Sequence, residues 1–208
     1  MAVLSAILLT ALLTALGVAI ALLGIEESML ASHARTARAL RLASSAAAQL
    51  AVADLRALPS WNGVIAAGAA PQLSAVASRF ADATLTPLAP WDGSTIDLGA
   101  VTDRWQSVSD ASRGAADAPQ VWRLFAYGPL EQAAPGTLAG PWYVAVWIAD
   151  DRADIDGDPC VDSNGILSLR AVAMGPSEAV ASTDVSVQRT SSSGGPDRVR
   201  ILTVRPGS

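Results

Sequence analysis

The chain has 208 residues, with 14 basic against 19 acidic side chains and a formal net charge of −5, a size that allows one compact domain and one extended element. All the basic residues are arginine, and a pI of about 4.7 argues against nucleic acid as a partner, because phosphate neutralisation needs a basic surface. With one Cys and one His, both an intramolecular disulfide and a clustered Cys/His metal cage are excluded.

Residues 1–25 carry no charged side chain, and Glu26 is the first ionisable one. That run exceeds the roughly 20 apolar residues that cross a bilayer as a helix. A cleaved secretory signal would have a basic start and an apolar core of about 7–15 residues; this run is longer and nothing basic precedes it, which favours a retained transmembrane anchor. Glu26 and Glu27 mark its exit.

Residues 26–58 contain neither Gly nor Pro and are rich in Ala, Leu and Arg, which are strong helix formers. A single helix is therefore expected from about residue 2 to Leu58, where Pro59 ends it by removing a backbone donor and restricting its predecessor. Leu40, Ala43, Ala47, Leu50, Ala51, Leu55 and Leu58 recur at three- and four-residue steps and define one apolar face. Arg35, Arg38 and Arg41 lie on another, read either as a solvated face or as a contact with acidic groups of a neighbouring subunit or lipid. His33 is expected to be exposed.

From Pro59 to about residue 118 the chain is loop-rich, with Trp61, Trp91 and Trp105 expected to anchor it to a core, since tryptophan buries a large area while one edge can stay wet. Its one helical candidate is 70–83, where Leu73, Val76 and Phe80 share a face. Asn62-Gly63 and Asp92-Gly93 are turn signals. Five strand candidates follow at 120–127, 141–149, 165–174, 179–189 and 198–204. The clearest is 141–149, with Trp142, Val144, Val146 and Ile148 facing one way and Tyr143, Ala145 and Trp147 the other. Short turn-forming connections at Gly175-Pro176 and 191–196 imply antiparallel neighbours. The fold class is thus α+β: a long N-terminal helix, transmembrane over 1–25 and amphipathic over 26–58, on an antiparallel sheet within a domain spanning 59–208.

Nucleophile elbows, phosphate-binding loops and dinucleotide-binding glycine patterns are all missing from the sequence. No catalytic residue is assigned, and the chain does not read as an enzyme. Between residues 150 and 164 it reads DDRADIDGDPCVDSN, with six aspartates. Asp154, Asp156, Asp158, Asp162 and Asn164 follow a two-residue offset that offers hard oxygen donors to calcium. Pro159 stands where an EF-hand has glycine, and the closing glutamate is missing. The competing reading is a solvated acidic loop whose Asp and Asn residues make turns. No cofactor is required; Ca²⁺ is the one considered.

Two segments carry a family resemblance. The first is Leu12-Leu13-Thr14-Ala15-Leu16-Gly17, followed by Glu26-Glu27-Ser28-Met29-Leu30-Ala31 and an alanine-rich helix. The second is the acidic DGDP loop beginning at Asp154, with its Asp162-Ser163-Asn164-Gly165 turn leading into a strand that ends Gly175-Pro176. Together they resemble the PilX-type minor pilins, assembly proteins of type IV pili. The resemblance implies a structural subunit that primes assembly or sits at the tip, with possible roles in cell adhesion. It implies an apolar half-helix held in the bacterial inner membrane before assembly, then packed against other pilins, with the globular domain outside the cytoplasm and later at the cell surface. The alternative is a membrane-anchored ligand-binding or adhesion module that enters no filament. Ser5 stands where major pilins carry glutamate if Met1 is near the mature start. Because Arg35, Arg38 and Arg41 follow the span, the positive-inside rule would keep the domain in the cytoplasm unless a basic leader preceded it. The gene is therefore expected to encode several Lys or Arg residues and a Gly upstream of the apolar run.

Overall fold

The computed structural model describes residues 2–66, 86–115, 117–136, 138, 140–192 and 195–207; the helical candidate 70–83 lies outside them. Two compact units divide the chain, Met1–Arg38 and Ala39–Ser208. Helix α1, Ala2–Ala57, contributes to both. At about 1.5 Å per residue its 56 residues run for roughly 84 Å. In the first unit Ile7, Leu8, Leu9, Leu12, Leu13, Leu16, Ile20, Leu22 and Leu23 are all exposed. This is one helix long and apolar enough to cross a membrane, and exposed apolar side chains at such density are those of a lipid-facing or partner-facing surface. Glu26, Glu27, His33, Arg35, Arg38 and Arg41 are likewise exposed.

In the second unit α1 turns amphipathic as its spacing requires. Leu40, Ala43, Ala47, Ala51 and Leu55 are buried, joined by Ala48 and Val52, while Leu50 and Leu58 are half-buried against the same core. The helix stops at Ala57, two residues before Pro59. Carbonyls at its end and just past it find partners: Trp61 Nε1 donates to Leu55 O at 3.1 Å, and Arg189, from the last part of the chain, donates to Leu58 O at 3.0 Å and to Pro59 O at 2.9 Å. These bonds answer the unpaired carbonyls that every helix end leaves. Asn62-Gly63 opens a single helical turn, α2 (Asn62–Ile65), instead of a reverse turn.

The remainder is a five-stranded antiparallel sheet in sequence order: β1 Arg123–Pro129, β2 Tyr143–Asp150, β3 Ile166–Met174, β4 Val180–Ser192 and β5 Gly195–Pro206. A short helix, α4 (Leu130–Ala133), follows β1. All five strand expectations hold, with ends shifted by at most three residues. The alternation read for 141–149 holds residue by residue. Trp142, Val144, Val146 and Ile148 join the cluster beneath α1. Tyr143, Ala145 and Trp147 enter a second cluster on the opposite face. Both faces of β2 are therefore buried, which a central strand between two covering layers requires.

The layer over the second face corrects the reading of 59–118 as loop-rich with a helix only at 70–83. A 14-residue helix, α3 (Leu98–Ala111), lies there. The Asp97 side chain caps it by accepting from Ala100 N, as N-cap residues do. Thr102 ties it down, donating to Leu98 O and accepting 2.7 Å from Trp147 Nε1. Trp91 and Trp105 pack against this cluster and Trp61 is buried in the other, so all three anchor the segment. Asp92-Gly93 makes the expected turn, with Gly93 at φ 73°. Asp92 accepts from Ser94 Oγ and Ser94 N, bonds that hold its carboxyl below the usual carboxylate range. The β3–β4 turn falls at Ser177-Glu178, two non-glycine residues with φ 56° and 57°, the left-handed pair that a tight hairpin demands.

Ala47 is fully buried between α1 and the sheet, so Ala47→Leu forces added methylenes into a packed layer. It should destabilise the fold by about 1–3 kcal/mol, whereas Leu42→Ala on the exposed side should stay within about 0.5 kcal/mol. Chemical denaturation of the full chain in detergent, followed by tryptophan fluorescence, compares the two.

Candidate functional site

The acidic segment leaves the end of β2 and returns into β3, and its side chains have separate duties. Asp156 accepts from Asp158 N, and Asp158 from Cys160 N, each at 2.9 Å. These are local turns closed by Asp on the amide two residues ahead. Asp162 accepts from Gly165 N and Ile166 N, and Asn164 Oδ1 from Ile166 N at 2.7 Å, which turns the chain into β3. Gly165 has φ +76°, and a Cβ there would lie 2.7 Å from Arg189 O, so the position requires glycine.

The carboxylates that come together are Asp150, Asp151 and Asp154. They are buried, and each presents an oxygen within 4.8 Å of the others. Of the five residues expected as calcium donors, Asp154 alone belongs to this trio. Asn164 stands beside it, donating from Nδ2 to Asp151 Oδ1 at 2.6 Å. Asp156, Asp158 and Asp162 are engaged as described and lie outside the group. Asp150 and Asp151 escaped the spacing argument because they end a strand. The alternation of β2 contains the missing signal: continued one step beyond Ile148, it places Asp150 on the core-facing side.

Electrostatics sets Asp154 and Asp150 apart. Asp154 accepts from Ser163 Oγ, from Ser163 N at 2.8 Å and from Asp156 N at 3.3 Å. Burial raises its pKa, but these donors together hold the carboxyl below the ordinary value. Asp150 is pushed up to about 7: burial is the chief cause, opposed by the Asp151 N–H bond and reinforced by the charges of Asp154, Asp162 and Asp151. Burial also raises Asp162, against its bonds from Gly165 and Ile166. A compact group of carboxylates in this state either holds protons or accepts a hard cation.

Arg152 fastens the segment to α3. It donates to Gln120 Oε1, to Ser109 O and to Ser112 O at 2.8, 2.9 and 3.1 Å, covering carbonyls at the end of that helix. Beside it, an open groove of about 550 Å³ is lined by Trp122, Arg152, Arg170, Asp184, Ser186 and Arg205, among others. In its wall is the Arg170–Asp184 pair, bidentate at 2.6 and 2.7 Å. The Arg170 guanidinium lies 4.6 Å from the Trp105 ring centre and 5.7 Å from that of Trp122. With both its charge and its stacking face satisfied, Arg170 braces the wall and is not a ligand hook.

Because Asp150 binds its proton more tightly folded than unfolded, its contribution is fully present below the unfolded carboxylate range and is lost as pH rises toward about 7. In chelator, stability should therefore fall between pH 4 and pH 7, and Asp150→Asn should flatten that decline. Denaturant midpoints of both proteins across this range provide the comparison.

Neither a family model, nor a curated protein, nor a solved structure matches this chain.

Proposed function

We propose that this chain is a structural, minor-pilin-like subunit, held in the bacterial inner membrane by α1 with its globular domain outside the cytoplasm, and then taken into a type IV pilus to prime assembly or form part of the tip. The observation that carries the reading is α1 itself: its first half is apolar and exposed while its second half buries an alanine-rich face against an antiparallel sheet. A simple anchor needs about 20 residues. An extension into the domain core is what a subunit needs if the apolar half is to pass from lipid into contact with other helices. The two quoted sequence segments add the family resemblance, and the net charge of −5 leaves nucleic acid out.

A photoreactive side chain placed in the apolar half tests this. In cells that assemble pili, benzoylphenylalanine in place of Leu13 should give, on irradiation, species cross-linked to other pilins in the sheared surface fraction. A chain that remains entirely monomeric in the membrane fraction would overturn the filament reading and leave the anchored module. Leu13→Arg should separately weaken membrane retention, since a charge at the middle of a span costs about 2.5–3.5 kcal/mol on insertion scales.

A second, compatible reading concerns the trio Asp150, Asp151 and Asp154, whose convergence favours an optional Ca²⁺. Millimolar calcium should then raise the melting temperature of the full chain in detergent by several degrees relative to chelator, because a ligand bound only by the folded state stabilises it. Asp154→Asn should remove the rise. Identical transitions with and without calcium would leave the segment as a solvated acidic loop.

A further inference from the structure

The last strand presents an edge whose backbone and two faces each constrain a partner. In the sheet order β5 bonds to β4 alone, so half of its backbone groups face outward with no strand beside them among the described residues. The register fixes the direction of its side chains. Arg198, Arg200, Thr203 and Arg205 stand opposite Thr190, Gln188, Ser186 and Asp184. That is the face turned away from α1. Val199, Ile201 and Val204 stand opposite Arg189, Val187 and Val185, on the face where Val185 and Val187 join the core beneath the helix. Leu202 is the extra residue of a bulge.

Neither face is finished. Ile201 and Val204 remain 40% and 60% exposed and, with Ala48 and Val52, wall a small apolar notch beside α1. On the other face the one carboxylate opposite the arginines, Asp184, is already taken up by Arg170 at both oxygens. The edge is thus a basic strip with an apolar underside, in a chain whose overall charge is −5.

We propose that β5 is the docking edge for an extended segment of another polypeptide whose side chains alternate acidic and apolar, added to the sheet as a sixth strand. Backbone bonds would supply affinity and alternate side chains specificity, as in strand addition generally. The bulge at Leu202 keeps Arg205 on the face of Arg198 and Arg200 and Val204 on that of Ile201, so a period of two in the added strand sets its acidic side chains on the first face and its apolar ones on the second. A second copy does not meet these terms. Pairing β5 with β5 would set arginines against arginines, and like charges directly opposite are destabilising. Charged residues on an edge in this way discourage self-association while leaving an oppositely charged strand welcome. The proposal is independent of filament assembly, since the edge is present in the single chain.

The test uses the full chain in detergent micelles and three labelled decapeptides: alternating Glu and Val, alternating Lys and Val, and five Glu followed by five Val. Binding is read by fluorescence anisotropy and its place by backbone amide exchange. The alternating Glu/Val peptide should bind at least tenfold more tightly than either control and slow exchange across residues 198–205 by at least tenfold. The charge-reversed variant R198E/R200E/R205E, altered only at exposed positions, should keep the wild-type melting temperature and prefer the Lys/Val peptide. Equal binding of the alternating and block peptides would reduce the effect to bulk charge and overturn the proposal. Protection elsewhere would also overturn it, as would concentration-dependent protection of β5 without peptide, which would assign the edge to a second copy.

Discussion

The domain depends on how closely α1 can approach the sheet. Ala43, Ala47 and Ala51 are fully buried and stand four residues apart, with Ala48 beside them. Small side chains along this stripe let the helix lie near the strands, so that Leu40, Val52 and Leu55 reach between the inward side chains of β2 and β3. Interiors pack at crystal-like density, so even one larger residue in the stripe would lift the helix and open voids on both sides of it. The buried Ser44 hydroxyl, 2.7 Å from Thr183 Oγ1, joins helix to β4 by a polar contact in the same layer. It fixes rotation about the helix axis as well as distance.

The second consequence lies on the opposite face. α3 and the segment leading to it cover β1, β2 and β3, where Tyr143, Trp147, Val172 and Met174 are buried. Among the described residues that cover is thinner over the residues of β4 facing the same way: Ser182, Asp184, Ser186 and Gln188 are half-buried and Thr190 is exposed. The sequence of the sheet follows this change. β2 is apolar on both faces, whereas in β4 Val185 and Val187 point toward the helix and Asp184, Ser186, Gln188 and Thr190 point away from it. Hence the groove beside Trp122 and the open strip along β5 both occur where the covering layer thins.

This difference in burial also explains which parts could be read in advance. The strands were legible because alternation is a strong, short-range signal, and in β2 it assigned each side chain to the correct face. α3 was not. Its sequence, LGAVTDRWQSVSDA, buries only Leu98, Thr102 and Ser109 outright, two of them polar, so no apolar stripe announces a helix. Its signals are Asp97 as a cap and the three- and four-residue steps from Leu98 through Thr102 and Trp105 to Ser109. In the acidic segment, even spacing suggested convergence, but Asp156 and Asp158 spend their carboxylates on amides two residues ahead. The group that does form, Asp150, Asp151 and Asp154, lies within five consecutive residues at the end of β2, and the strand's alternation, not an even two-residue spacing, is what brings Asp150 into it.

The absence of lysine acquires a structural meaning once the arginines are placed. Arg189 spans from β4 to the end of α1, donating to two successive carbonyls with its guanidinium 5.8 Å from the Trp61 ring centre. Arg152 joins the acidic segment to the end of α3 through several bonds at once. Arg170 forks onto Asp184 while lying against two indoles. Each task uses a planar cation with several donors in fixed directions, which an ammonium cannot reproduce. Between them these three side chains attach both helix ends and brace the wall of the groove. Whatever compositional pressure favours arginine in this chain, the domain now depends on its geometry, and replacement by lysine at 152, 170 or 189 would preserve charge while losing the connection.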